Sequence, residues 1–267
     1  MIHEHQLEQF KVFGFLVLKG ILTPLDIKKA SDEFEIGIAK AREASDRLSI
    51  RKQLNWSNLR PDTPFLASLL EDERFYSTAQ QILGKDVIGS ASSGNSFDSD
   101  RTEWHSDVGN PDWNGIKFAF YLQPVGRNSG ALRLAPGSHR EPFLSDFNKI
   151  LLKGSEKGTI DGIGLSVEEV PCFAAESETG DVVLFDNNMW HASYGGGTDR
   201  RMCSLGYFTN PKNAREEKVM ASQVERTHRL HAMLPHLDRH PLWLENADGN
   251  QTRAKWISDL KKWGFVK

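Results

Sequence analysis

The feature that most constrains this chain is a succession of short apolar or alternating segments that begins at residue 87. Turn residues separate them, including Asn128-Ser129-Gly130, Pro136-Gly137-Ser138 and Gly195-Gly196-Gly197. The segments occupy residues 87–92, 103–107, 117–122, 131–135, 182–185 and 202–208. Short strands at such spacing are typical of an antiparallel β-sandwich or barrel. We therefore expect a mainly β core over about residues 87–210.

The sequence on either side of this core has a helical period. One helix is expected after Thr23-Pro24, because apolar residues recur at three- to five-residue steps up to residue 41. Further helices are expected at residues 64–83, 214–234 and 250–263, and one apolar strand at residues 13–18. Residues 47–60 are polar and give no clear prediction. The weakly periodic residues 144–171 suggest an insertion or lid.

We therefore expect one α+β domain over residues 1–267. Its helical N-terminal part covers about residues 1–86, and its helical C-terminal part covers about residues 211–267. Lys plus Arg total 33 and Asp plus Glu total 36, so the net charge is −3. Such a balance offers no electrostatic surface for nucleic acid or an anionic membrane. Two cysteines and no targeting or spanning segment favour a cytoplasmic protein that acts on a small molecule.

Candidate metal ligands occur in the segment Trp104-His105-Ser106-Asp107. On a strand, alternation would place the side chains of His105 and Asp107 on one face. A third ligand, His191, follows the segment 180–185, and Arg201 comes ten residues later. Two histidines and one carboxylate leave three coordination positions open, which suits Fe(II) that binds a chelating co-substrate and O₂. Taken singly, a His-x-Asp pair is more often a surface hydrogen-bonding group, and a lone histidine is more often structural.

Together with these residues, the segments 128–140 and 180–191 resemble the phytanoyl-CoA dioxygenase family. The most specific part is Asn-Ser-Gly-Ala-Leu followed by Pro-Gly-Ser-His, and the resemblance spans about residues 10–210. It implies a double-stranded β-helix (a jelly roll, cupin-like) with N-terminal and flanking helices. It also implies an oxygenase that uses Fe(II), 2-oxoglutarate and O₂. No CoA-binding element is recognisable, so the phytanoyl-CoA substrate is not carried over.

Residue by residue, the resemblance implies that His105, Asp107 and His191 bind iron. Arg201 is expected to hold the distal carboxylate of 2-oxoglutarate, with Arg200 as the competing choice. Arg201 is preferred because the small Cys203 would share its strand face, whereas Arg200 would share a face with the bulky Met202. Ser193 matches a position near the co-substrate. Lys117, Ala119 and Tyr121 are expected to face the substrate pocket.

The activity implied is hydroxylation of a small organic substrate by Fe(IV)-oxo hydrogen abstraction, with release of succinate and CO₂. Asp107 favours this over halogenation, because related halogenases replace the carboxylate with a small residue. Desaturation, epoxidation or cyclisation of a secondary metabolite by the same cofactors is the alternative outcome. Two alternative functional classes are a non-catalytic cupin-like metal sensor and a zinc hydrolase. Neither would need an arginine that binds a dicarboxylate.

Overall fold

The computed structural model describes residues 1–44, 53–154 and 169–266. Its core consists of two antiparallel sheets. The larger sheet has the strand order β1-β8-β5-β10-β3-β2, and the smaller sheet has the order β4-β9-β6-β7. The strands are β1 (Phe15–Leu18), β2 (Gln53–Ser57), β3 (Val87–Phe97), β4 (Thr102–His105), β5 (Gly115–Tyr121), β6 (Leu132–Leu134), β7 (Phe173–Ala175), β8 (Val182–Asp186), β9 (His191–Ser193) and β10 (Arg200–Thr209).

Helices precede, interrupt and follow the sheets. They are α1 (Glu4–Phe13), α2 (Pro24–Ala44), α3 (Pro64–Ser68), α4 (Glu73–Leu83), α5 (Phe143–Gly154), α6 (Ala214–Met233), α7 (Pro241–Glu245) and α8 (Gln251–Trp263), with a short 3-10 helix at Pro235–Leu237. The start of α2 is stabilised reciprocally, because Thr23 Oγ1 accepts from the Asp26 backbone and the Asp26 carboxylate accepts from the Thr23 backbone. Within the described residues, no helix is long and apolar enough to cross a bilayer.

Aromatic side chains pack the helices onto one face of the larger sheet. Phe34 of α2 meets Trp56 of β2 edge-on at 4.7 Å between ring centroids, and Phe75 of α4 meets Phe118 of β5 at 5.3 Å. Trp256 of α8 is fully buried and donates from its indole nitrogen to the Val87 carbonyl at 3.0 Å. A second apolar cluster fills the space between the sheets. The α+β fold predicted from the alternating segments is confirmed.

Several local expectations differ from the structure. The helix expected at residues 64–83 is two helices, because residues 69–72 form a turn between α3 and α4. The N-terminal part is not purely helical, since β1 and β2 form the two edges of the larger sheet. Strand β2 lies within the polar residues 47–60, for which no secondary structure was predicted. Of the expected insertion at 144–171, α5 is described, and residues 155–168 lie outside the described residues.

Candidate active site

A cavity of about 270 Å³ opens between the two sheets. Its walls come from β2, β3, β5, β8 and β10 of the larger sheet and from β4, β6 and β9 of the smaller one, and α6 adds one residue. His105, Asp107 and His191 lie on one side of this cavity. Pairing of distant strands therefore brings His105 and His191 together, although they are 86 positions apart in the sequence.

The three predicted metal ligands form a compact group. Each offers one ligand atom, and these atoms all lie within 4.8 Å of one another. His105 and His191 are directly opposite each other on the paired strands β4 and β9, with ring centroids 4.2 Å apart. Asp107 does not lie on the strand as expected: β4 ends at His105, and the turn that follows supplies the carboxylate. This is the donor set of a facial two-histidine, one-carboxylate iron site.

Backbone carbonyls fix the orientation of both imidazoles. The Nδ1 atom of His105 is 2.8 Å from the Glu103 carbonyl oxygen, and that of His191 is 2.9 Å from the Met189 carbonyl oxygen. A carbonyl can only accept, so each Nδ1 carries a proton and each Nε2 keeps a free lone pair. Such contacts fix the tautomer and ring orientation of metal-binding histidines. The two rings are therefore prepared to bind a cation through Nε2.

The electrostatics of the group favour its metal-binding protonation states. Burial acts to raise the pKa of Asp107, but its interactions with the Lys117 ammonium and then with the two imidazoles outweigh burial, and the pKa falls below its usual range. The Lys117 ammonium lies 2.6 Å from the Asp107 carboxylate. Burial, followed by the nearby charge of His105, lowers the pKa of His191 to about 3. Asp107 is thus an anion and His191 is neutral at neutral pH, as metal ligation requires.

Arg200 lies beside this cavity and is almost completely buried, with 2 % of its surface exposed. Its Nη2 donates to the Ser193 hydroxyl at 3.0 Å, and its guanidinium lies over the Phe97 ring at 4.5 Å. Nε and Nη1 are buried and have no hydrogen-bond partner among the described residues. Burial lowers the pKa of Arg200. The group nevertheless remains a cation at neutral pH, with two free donors.

Two glycines make room for this guanidinium. A Cβ at Gly130 or at Gly196 would collide with Nη1 of Arg200. Gly130 also has a φ of +88°, a conformation that other residues rarely adopt. Gly130 belongs to the Asn-Ser-Gly-Ala-Leu segment, and Gly196 is the middle residue of the triple glycine. Both turn sequences therefore contribute to the space around the buried arginine.

Arg201, the preferred co-substrate anchor, points away from the cavity. Its guanidinium pairs with Asp199 at 3.0 Å and with Glu35 at 2.5 Å. The face assignment behind this preference is wrong, because Cys203 packs into the core beneath the helices, whereas Met202 lines the cavity. Alternation along β10 then directs Arg200 to the cavity side and Arg201 to the helix side.

The remaining predicted residues lie where alternation along β5 and β9 directs them. Lys117, Ala119, Tyr121 and Ser193 all line the cavity. Six polar residues that line the cavity were not predicted from the sequence: Gln53 and Asn55 of β2, Asn95 of β3, Thr102 of β4, Ser204 of β10 and Arg226 of α6. An inward polar residue in a strand is a signal that was available for Asn95. No local pattern marks Gln53, Asn55 or Arg226, because only tertiary packing brings β2 and α6 to the cavity.

Known proteins share both the sequence pattern and the fold. The family model described as phytanoyl-CoA dioxygenase matches residues 10–203. An ectoine dioxygenase of Bordetella bronchiseptica is 27 % identical over 212 residues, which is 70 % of this chain and 68 % of the relative. An ectoine dioxygenase of Streptomyces coelicolor is 28 % identical over 204 residues, covering 67 % of this chain and 68 % of the relative.

Solved structures agree with the fold. HygX from Streptomyces hygroscopicus, solved with nickel and 2-oxoglutarate, has a TM-score of 0.61 at 17 % identity and covers 79 % of this chain and 88 % of its own. EctD from S. alaskensis, solved with 2-oxoglutarate and 5-hydroxyectoine, has a TM-score of 0.58 at 21 % identity and covers 78 % and 76 %. The predicted jelly-roll fold, family and enzyme class are confirmed. The chain belongs to the phytanoyl-CoA dioxygenase family and is an Fe(II)- and 2-oxoglutarate-dependent dioxygenase.

Proposed function

We propose that this dioxygenase hydroxylates a small organic substrate held in the cavity between its two sheets. His105, Asp107 and His191 hold the iron, and Arg200, rather than Arg201, anchors the distal carboxylate of 2-oxoglutarate. When bound, iron and 2-oxoglutarate supply the oxidising chemistry with O₂, and succinate and CO₂ leave. Ser193 orients the Arg200 guanidinium, and Lys117, Ala119 and Tyr121 form part of the substrate wall.

The observation that carries this proposal is the state of Arg200. A buried guanidinium without a carboxylate partner is costly, because its donors have lost water and gained little in return. A carboxylate would accept from the two free nitrogens in the paired geometry that arginine favours. A metal sensor or a zinc hydrolase has no use for such a group. The co-substrate of this enzyme class, 2-oxoglutarate, is a dicarboxylate and would provide that partner for Arg200.

We also propose where this enzyme acts, what kind of partner it binds and how its chain is organised. Near-balanced charge and free cysteines favour a cytoplasmic enzyme that acts on a small molecule, without nucleic acid or membrane. Residues 1–267 form a single catalytic domain in this proposal. The strands from the N-terminal part pair with the core, and α6 from the C-terminal part reaches the cavity.

The test is an anaerobic titration of the Fe(II)-loaded protein with 2-oxoglutarate, followed by the visible metal-to-ligand charge-transfer band of the chelate. Arg200→Ala removes a charge-assisted pair, so we expect the Kd for 2-oxoglutarate to rise about 10- to 100-fold. Arg201→Ala is the matched control on the opposite strand face, and its Kd should stay within about twofold of the wild type. A larger rise in this Kd for Arg201→Ala than for Arg200→Ala would instead identify Arg201 as the anchor. A wild type without the charge-transfer band would contradict the proposed function.

The reaction outcome is tested separately by mass spectrometry of the product. Ectoine is the first compound to try, because the relatives named above are ectoine dioxygenases. Hydroxylation adds one oxygen atom to the substrate, whereas desaturation or ring closure removes two hydrogens. A product that has lost two hydrogens would favour the alternative oxidation over hydroxylation. Succinate released in equal amount to the product would tie either outcome to 2-oxoglutarate.

A further inference from the structure

Arg226 of α6 is a cation at the cavity that neither the metal site nor the co-substrate site uses. It is exposed to solvent and lines the cavity together with Lys117 and Asp107. We propose that Arg226 binds a carboxylate group of the substrate, so that the enzyme acts on small carboxylic acids. This inference rests on the proposed function, since it assumes that Arg200 is occupied by 2-oxoglutarate.

The charges around the cavity support an anionic substrate. Asp107 is the one carboxylate among the lining residues of the described chain, and it pairs with Lys117 at 2.6 Å. The distal carboxylate of 2-oxoglutarate would neutralise Arg200. Arg226 then remains, and within residues 1–44, 53–154 and 169–266 no ion pair to it is found. An anionic group on the substrate would lower this excess of positive charge, to which the iron would add, whereas a neutral substrate would leave it unchanged.

The position of Arg226 suits a group that orients a substrate beside the iron. Its Nη1 donates to the backbone carbonyl oxygen of Asp107 at 2.5 Å. One donor therefore holds the guanidinium next to a metal ligand, and the other four N–H groups stay available for a carboxylate. A carboxylate held here would place the adjoining carbon atoms of a small substrate beside the metal group. Such anchoring controls the distance between the metal and the reacting C–H bond of the substrate.

Helix α6 gives this arginine a defined place. Asn213 caps the helix through its side-chain oxygen, which accepts from the backbone of Arg215 and Glu216. Val219 and Met220 are buried against the rest of the protein. The two buried residues lie about two turns before Arg226, the cap lies more than three turns before it, and together they fix the helix relative to the cavity. Arg226 is thus presented by a regular element rather than by a loop.

The wall formed by β2 and β3 adds neutral polar groups. Asn55 and Asn95 are opposite each other across these strands, and both line the cavity. The Oδ1 atom of Asn55 and the Nδ2 atom of Asn95 are buried without a partner among the described residues. They offer one acceptor and one donor for a ligand. The substrate class that fits is a small carboxylic acid with a second polar group.

The experiment compares acids with their uncharged amides on the Fe(II)–2-oxoglutarate complex of the full chain. The probes are L-proline, L-pipecolic acid and N-acetylglycine, each matched with its primary carboxamide. Binding is read from the change in the charge-transfer band and from ligand-observed NMR. We expect the wild type to bind at least one acid about tenfold or more tightly than its amide. In Arg226→Gln, this acid should lose about 10- to 100-fold in affinity.

Arg229→Gln is the matched control, since Arg229 lies on the same helix, is exposed and pairs with Glu225 at 3.8 Å. Its acid affinity should equal that of the wild type, and both variants should keep the wild-type affinity for 2-oxoglutarate. Amides that bind as well as acids, acids that bind equally to Arg226→Gln, or a wild type that binds no acid would overturn this inference. A wild type without the 2-oxoglutarate band would instead overturn the proposed function, so the two failures are distinguishable.

Discussion

At the scale of single residues, the site depends on how each ligand is held before any cation arrives. His105 and His191 each use Nδ1 on a carbonyl two residues earlier in the chain. The same short loop from side chain to backbone therefore occurs on both paired strands. Among the described residues, no backbone group donates to the Asp107 carboxylate, which instead pairs with Lys117. The carboxylate is the ligand whose removal tests the site most directly.

We expect Asp107→Asn to weaken Mn(II) binding at least about tenfold, because a neutral amide replaces the one anionic ligand. Mn(II) avoids oxidation during the measurement, and its electron paramagnetic resonance signal diminishes on binding. Asp112→Asn is the control, since Asp112 lies in the next loop and does not line the cavity. Equal Mn(II) affinity in the wild type and in Asp107→Asn would show that Asp107 is not a ligand.

A second carboxylate, Asp186 at the end of β8, makes stability depend on pH. Burial raises its pKa to about 7, although one oxygen accepts from the Asn188 backbone at 2.8 Å. The ordinary value is 3.8, so between about pH 4 and pH 7 the folded protein holds a proton that the unfolded chain releases. The free energy of unfolding contributed by this group therefore falls as pH rises through that range.

Asp186→Asn keeps the acceptor and removes the titration. We expect the unfolding free energy of the variant minus that of the wild type to increase from pH 4 to pH 7. The slope should be at most about 1.4 kcal/mol per pH unit. Urea denaturation at several pH values measures it. Other carboxylates titrate equally in both proteins and cancel in the difference. A difference that stays constant over this range would contradict the raised pKa.

At the scale of elements, local pattern and tertiary pairing contribute differently to what the sequence predicts. The His-x-Asp segment and the later histidine were recognisable because His105 ends one short strand and His191 begins another, each next to turn residues. The face of β10 was not, because both of its faces are buried, one under helices and one in the cavity. A strand with two buried faces lacks the polar alternation that reveals its orientation.

Two other elements could not be predicted from the local sequence pattern. Strand β2 is polar in sequence and is a strand because it pairs with β3, where Trp56 lies opposite Gly94. Strand β9 has only three residues, and its place is set by pairing with β4 and β6. The cluster of His105, Asp107 and His191 was thus predictable from motifs. The choice between Arg200 and Arg201 and the polar wall of the cavity required the assembled sheets.

The packing of α2 on the larger sheet gives a prediction at this scale. Trp56 is buried between two glycines, Gly37 of α2 and Gly94 of β3, and a Cβ at either would collide with its indole ring. In an open helix, replacing glycine by alanine would stabilise by about 1 kcal/mol. Here we expect Gly37→Ala to destabilise by about 1–3 kcal/mol, because the added methyl overpacks the contact.

Chemical denaturation of a double-mutant cycle checks this packing. Trp56→Leu removes the ring, so Gly37→Ala introduced into that background should be neutral or stabilising. A coupling energy near zero would mean that the cost of Gly37→Ala has another origin. Trp56→Leu is itself destabilising, since it empties space between the helix and the sheet. The cycle remains interpretable because it compares the same glycine substitution in two backgrounds.

At the scale of the whole molecule, the two proposed ligands act on different parts of the fold. The metal joins His105 of β4 and His191 of β9, which are neighbours in the smaller sheet. Arg200 belongs to β10 of the larger sheet, and its bond to Ser193 of β9 spans the gap between the sheets. A 2-oxoglutarate molecule that chelates the metal and reaches Arg200 would therefore connect one sheet to the other.

Thermal unfolding separates these two contributions. A ligand at 100 times its Kd stabilises the folded state by about 2.7 kcal/mol, which for a chain of this length raises Tm by about 5–10 °C. We expect Mn(II) to raise Tm and 2-oxoglutarate to raise it further, with EDTA reversing both increments. In Arg200→Ala the Mn(II) increment should persist, and the 2-oxoglutarate increment should shrink to about one half to one sixth of its wild-type size at the same concentration. Arg201→Ala should keep both increments, so an Arg200→Ala protein that retains its full 2-oxoglutarate increment would show that the co-substrate does not bridge the sheets through Arg200.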